Sequence, residues 1–165
     1  MSHSRRWAWY FGVLLVLGVV AVTVPLVYNL KAQLTPEQLA AARALWKENG
    51  PTDYELLYQE RIDTGPVETF RVEVRGDKVS VWRREGGKEK NLEELTPSQR
   101  QAYTVPGMFE RMERFLEEDR AAARRNYVTA AFDAKDGHPV RYVRRVSGTQ
   151  ERLEWVVEML SAHDR

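Results

Sequence analysis

The sequence predicts an α+β protein: an N-terminal transmembrane helix followed by an antiparallel sheet with helices on one face. Three observations predict it. Trp7 to Tyr28 runs 22 residues without a charge. Val67 to Arg75 alternates apolar with charged side chains, the period of a half-buried strand, and Val105 to Leu116 repeats its apolar residues at helical spacing. After the apolar run, a helix and three strands occur twice in order, which suggests two similar halves.

The first element is the apolar run. At about 1.5 Å per residue it makes a helix of roughly 33 Å, enough to cross a hydrocarbon core of about 30 Å. Trp7, Trp9 and Tyr10 at one end and Tyr28 at the other read as interfacial belts. Arg5 and Arg6 precede the run and Glu37 follows soon after Lys31, so the charge bias keeps the N-terminus in the cytoplasm. Pro25 falls in the last turn, where few backbone bonds are left to lose. A cleaved signal peptide has a shorter apolar region, about 7–15 residues, and a small-x-small site after it. The nearest match here, Ala21-Val22-Thr23, lies inside the run, and no cysteine follows for a lipid anchor. A helix apolar on every side is buried in a large core or in a membrane, and this run reads as a membrane helix over a buried helix of a soluble core. The expected organisation is therefore a cytoplasmic 1–6, a single-pass signal anchor over 7–28, a linker over 29–34 and an extracytoplasmic domain over 35–165 in the cell membrane. Six linker residues reach at most about 20 Å, so any partner lies close to the bilayer.

Thr35-Pro36-Glu37-Gln38 opens the next helix with a capping box and proline at its first position. Leu39, Ala42, Leu45 and Trp46 share one face, and Asn49-Gly50-Pro51 stops the helix. Tyr54 to Ile62 reads as a strand with Tyr54, Leu56, Tyr58 and Ile62 on one parity. Val67 to Arg75 and Lys78 to Arg84 form the next two, joined at Gly76-Asp77. Glu85 to Asn91 reads as a polar loop. Thr96-Pro97-Ser98-Gln99 starts a short helical turn, and Thr104 caps a longer helix carrying Met108, Phe109, Met112, Phe115 and Leu116. Tyr127 to Asp133, Val140 to Val146 and Arg152 to Leu160 complete the second set of strands.

Charge bounds the function. The chain has 25 Lys+Arg and 24 Asp+Glu. With Arg5 and Arg6 placed before the membrane, 23 basic residues face 24 acidic ones, a formal −1 for the exported part. That balance argues against a nucleic-acid partner, which needs a concentrated basic face. The absence of cysteine excludes disulfides, thiol catalysis and Cys-ligated zinc.

Leu45-Trp46 with Asn49-Gly50 and Tyr54, Tyr103-Thr104-Val105 before Met108-Phe109, and Phe132-Asp133 with Gly137, Pro139 and Arg141-Tyr142 together resemble a bacterial family, the domain-of-unknown-function (DUF) family 6174. The resemblance covers roughly Ala41 to Leu160. It implies a secreted or membrane-anchored envelope location and supplies no activity and no catalytic residues.

The most site-like stretch is Phe132 to Tyr142, FDAKDGHPVRY. Calcium needs more oxygen ligands than Asp133 and Asp136 provide, and zinc needs ligands beyond His138. As a turn, every residue has a local role. The aspartates accept backbone hydrogen bonds, Gly137 permits positive φ, and Pro139 starts a strand. The stretch reads as a corner. Arg75-Gly76-Asp77 reads as a hairpin and not as an adhesion signal. Gly86-Gly87-Lys88 lacks the spacing of a phosphate loop, and no Gly-x-Ser-x-Gly elbow or His-Glu-x-x-His occurs. Arg120, Arg124, Arg125, Arg141, Arg144 and Arg145 cluster in the last third, which would suit an anionic partner such as lipid headgroups or an envelope polymer. The favoured reading pairs Arg141, Arg144 and Arg145 with Glu151, Glu154 and Glu158 on the next strand. Leu57 and Trp82 share parity with the polar positions of their strands, which places a small apolar spot among Gln59, Arg71, Glu73 and Arg75. These readings favour a non-catalytic binding module that meets an envelope protein or polymer, with no cofactor and no metal. The alternatives are an envelope hydrolase with acids from separated strands and a structural subunit of a membrane complex.

Overall fold

The computed structural model describes residues 9–10, 12–21, 33–122 and 126–163. The chain divides into two units between Gln33 and Leu34. In the first, residues 12–21 are helical (α1) and exposed. Among the described residues no helix is long and apolar enough to cross a membrane. The expected cytoplasmic 1–6 and parts of the expected span and linker lie outside the described residues.

The second unit runs α2 (Pro36–Asn49), β1 (Asp53–Ile62), β2 (Glu68–Arg75), β3 (Lys78–Glu85), β4 (Lys88–Asn91), α3 (Pro97–Gln101), α4 (Val105–Ala121), β5 (Tyr127–Phe132), β6 (Pro139–Arg145) and β7 (Arg152–His163). Local chemistry sets the helix starts. Thr35 accepts a hydrogen bond from the Gln38 amide at 3.2 Å, and the Gln38 side chain accepts one from the Thr35 amide at 3.1 Å. Thr96 and Gln99 repeat the arrangement at α3. Thr104 caps α4 by accepting from the Gly107 amide at 3.2 Å. Gly50 ends α2 in an extended conformation with φ −69°, so glycine is needed there for space: a Cβ would strike the backbone and ring of Trp46.

The seven strands form one sheet in the order β4-β3-β2-β1-β7-β6-β5, and every neighbouring pair is antiparallel. Two expectations are corrected here. Glu85 to Asn91 is no plain loop: Gly86 and Gly87, at φ +57° and +80°, turn the chain so that Lys88–Asn91 pairs back on β3 as β4. Left-handed residues at both turn positions match the twist of the flanking strands, and glycine adopts them without strain. The two halves also differ, since the first has four strands. They meet where β1 pairs β7, the first strand of one half against the last of the other. β7 extends to His163, beyond the expected Leu160.

Helices pack on one face. Leu39, Ala42 and Trp46 of α2 and Val105, Met108, Phe109 and Met112 of α4 are buried with Tyr54, Leu56, Tyr58, Phe70, Val72, Val81, Tyr142 and Trp155 of the sheet. Burying each large apolar side chain contributes about 1.5–3 kcal/mol, so the paired faces hold the domain together. The alternation in β1, iBiBiB from Asp53 to Tyr58, is the pleat of a sheet covered on one side.

Candidate functional site

The corner between β5 and β6 is closed by its own backbone. One oxygen of Asp133 accepts from the amides of Lys135 at 2.8 Å and Asp136 at 3.3 Å, and these bonds, with Lys135's first, hold its carboxyl below the usual carboxylate range. The Asp133 amide donates to the His138 carbonyl at 2.8 Å. Asp136 accepts from the His138 amide at 2.9 Å and lies 2.6 Å from Nδ1 of the same histidine. The ring of His138 is buried and stands edge-on to Trp46, with centroids 6.4 Å apart. The acidic and imidazole atoms of Asp133, Asp136 and His138 lie within 4.8 Å of one another, yet the same carboxylates already serve as backbone acceptors. The corner serves packing. Gly137, at φ +82°, presses on α2, and a Cβ there would strike the carbonyl of Ala42 and meet Leu45 and Trp46.

On the opposite face of the sheet, Leu57, Arg71 and Trp82 form one row. Leu57 pairs with Arg71 across β1–β2, and Arg71 pairs with Trp82 across β2–β3. Both Leu57 and Trp82 are half-buried on the polar side of their strands, as their parity predicts. They do not touch as one spot, because Arg71 stands between them. Its guanidinium lies 4.4 Å from the centre of the Trp82 ring and is held by Glu55 at 3.2 Å and Glu89 at 3.0 Å. Glu89 belongs to β4, the strand that sequence patterning reads as a loop.

A third constellation sits on the helix side, between α4 and the ends of β1, β6 and β7. One oxygen of Glu60 accepts from Tyr58 Oη at 2.8 Å, Arg111 Nη2 at 2.9 Å and Trp155 Nε1 at 3.0 Å. Arg111 also lies flat on Trp155, 4.4 Å from the ring centre, and donates to the Tyr58 hydroxyl at 3.3 Å. Burial, the largest influence, pushes the Tyr58 hydroxyl far above its ordinary range, so it stays a neutral donor. Beside this group Arg144 clasps Asp119 of α4 through Nε and Nη2 and stacks on Phe115 at 4.9 Å. A cavity of about 410 Å³ opens next to both arginines, also lined by Ile62, Phe115, Arg152 and Leu153. Sequence reading misses this constellation because its members lie 51 and 95 positions apart. Two signals were available: Glu60 sits on the apolar parity of β1, and Arg111 interrupts the apolar face of α4.

The arginine expectations divide. Arg141 meets Glu154 across β6–β7 at 2.6 Å, as strand pairing predicts. Arg144 faces Leu153 on the core side and turns to α4, and Arg145 stands opposite Arg152. Glu158 faces Leu57 on β1. The physical reason is pleat parity: neighbours in sequence project to opposite faces, so one strand cannot send all three arginines to the same partners. Arg124 and Arg125 lie outside the described residues.

The model of a family of unknown function (DUF6174) matches residues 38–143, more than half of the chain. The chain belongs to that family. Among curated proteins none matches it. The matched range of DUF6174 begins inside α2 and ends in β6, so it takes in the Leu45-Trp46 face, the α4 start and the Gly137 corner. In this member those motif residues tie both long helices to β1: Trp46 of α2 stands edge-on to Tyr54 at 5.4 Å, and the Tyr54 hydroxyl accepts the Val105 amide of α4 at 3.2 Å. β7 and Trp155 fall outside the matched range.

Proposed function

We propose that this chain is a membrane-anchored, extracytoplasmic binding module of the bacterial cell envelope that holds a protein partner and does not catalyse a reaction. The observation that carries the reading is the Trp82–Arg71 stack on the sheet face opposite the helices. Trp and Arg are the residue types that dominate protein contact energies, and a guanidinium already fixed by two carboxylates loses little freedom on binding. Leu57 extends the row with apolar area. The surface is pleated and its charges alternate, which suits another protein better than a polymer chain seeking a groove.

Two features support the rest of the reading. The carboxylates of Asp133 and Asp136 accept backbone amides and Gly137 packs against α2, which supports reading the most site-like stretch as a turn. The uncharged run Trp7 to Tyr28, with Arg5 and Arg6 before it, is the proposed anchor, and the short linker keeps the partner close to the bilayer.

The test is co-purification of envelope proteins with the detergent-solubilised chain, wild type against Trp82→Ala and Arg71→Ala. Each variant is expected to lose a specific partner by tenfold or more, about 1.4 kcal/mol, with its melting curve little changed. Equal recovery from all three proteins would remove the open face as the binding surface.

A further inference from the structure

We infer that the cavity beneath the C-terminal half of α4 binds a small zwitterion with an apolar side chain, an amino acid or a dipeptide. This inference is independent of the partner surface, which lies on the other face of the sheet.

Three observations converge on that ligand class. The first is charge. Arg111, Arg144 and Arg152 line the cavity together with Glu60, Asp63 and Glu151, so the lining is formally neutral while carrying both signs. A ligand of net charge would meet like charge on one side, whereas a zwitterion can place each end against its opposite.

The second is an imbalance of hydrogen-bonding groups. A guanidinium has five N–H donors. Arg111 uses some on Glu60 and Tyr58, Arg144 on Asp119, and Arg152 on Glu154. The Nε of Arg152, which also lines the cavity, is buried without a partner. What this region lacks is an acceptor. A ligand carboxylate supplies one, and Arg111 and Arg144 are already oriented for it by Glu60, Asp119 and the rings they stack on.

The third is apolar wall. Phe115, Leu153 and the 59% exposed Ile62 line the same space, which at about 410 Å³ is within the ordinary range for small-molecule sites. Ile62 is the last residue of β1 and brings an apolar side chain to the cavity lining.

The experiment is isothermal titration of the full chain in detergent micelles with the dipeptide Leu-Phe, with N-acetyl-Leu-Phe and with Leu-Phe amide. Leu-Phe is expected to bind saturably, and blocking either end should weaken it at least about tenfold. Arg152→Gln, at the rim, should weaken Leu-Phe similarly while the melting temperature holds, since Glu154 keeps Arg141. Should that variant melt early, Ile62→Glu serves instead and should also weaken binding. No heat from Leu-Phe at millimolar concentration, equal binding of the blocked forms, or unchanged binding in a folded variant would each overturn the inference. Capture of the protein partner is read separately, so failure here leaves that reading standing, and the converse holds.

Discussion

Gly137 shows how much one residue decides. Its φ of +82° lies in the left-handed region, and the space where a Cβ would go is filled by the Ala42 carbonyl. Gly137→Ala therefore combines backbone strain with overpacking and should destabilise the domain by about 2–4 kcal/mol, read as a shift in the urea midpoint. A shift no larger than that of an exposed-site alanine would mean that the corner does not clamp α2. Glu154 contributes to acid behaviour. Its hydrogen bond from Arg141, then the nearby Arg152 charge, hold its carboxyl below the usual glutamate range. A depressed folded value means stability that is present above the unfolded value and lost as pH falls through the folded one. Unfolding followed against pH should show that acid loss in the wild type and a flatter slope in Glu154→Gln. Identical slopes would place the acid sensitivity elsewhere. At this scale the sequence was legible where chemistry is local: the aspartate acceptors, the glycine and the proline of the corner all follow from neighbours in the chain.

α4 shows what an element adds. Its N-cap and its apolar spacing as far as Leu116 are written in the sequence. Its attachment is not. Among the described residues three ion pairs reach it from elsewhere in the fold, and two of them contrast in burial. Arg111 and Glu60 are 21% and 12% exposed, while Arg43 and Glu113 are 49% and 53% exposed. Removing one member of the sheltered pair leaves a charge short of both water and partner, so Arg111→Met should cost about 3–5 kcal/mol. Arg43→Met, in water on both sides, should change stability by about 1 kcal/mol or less. Comparing the two by denaturant unfolding checks the assignment, and similar costs would refute it. Gly107, in the first turn of α4, carries the same lesson. A Cβ there would strike the Gln101 carbonyl, so α3 and α4 abut through a glycine whose need is invisible in its helix. β4 escapes sequence patterning for a related reason. Lys88-Glu89-Lys90-Asn91 has no apolar face to alternate, because an edge strand away from the core has none to bury.

For the whole molecule, sheet order gives the protein two unlike faces. The meander β1–β4 and the meander β5–β7 join at β1–β7, which brings Glu60 to Trp155 and leaves Arg71 and Trp82 on the other side. One face holds helices and the cavity, the other the proposed partner surface. The proposed orientation belongs to this scale as well. A reporter that works only in the cytoplasm, fused after Arg165, should be silent, and the full-length chain should partition with membranes. An active reporter would reverse the orientation, and a trimmed protein in the aqueous fraction would remove the anchor.

Caps, hairpin turns and the apolar period of each element were readable along the chain because each depends on residues within a few positions, whose backbone geometry and hydrogen-bonding choices are local. Parity alone also sent Leu57 and Trp82 to the correct face. The stack of Arg71 on Trp82, the three donors on Glu60 and the turn of Arg144 to Asp119 came from pairing strands and seating a helix across them. Such contacts join residues far apart in sequence, and their energies depend on burial, which exists only once the sheet and α4 have met.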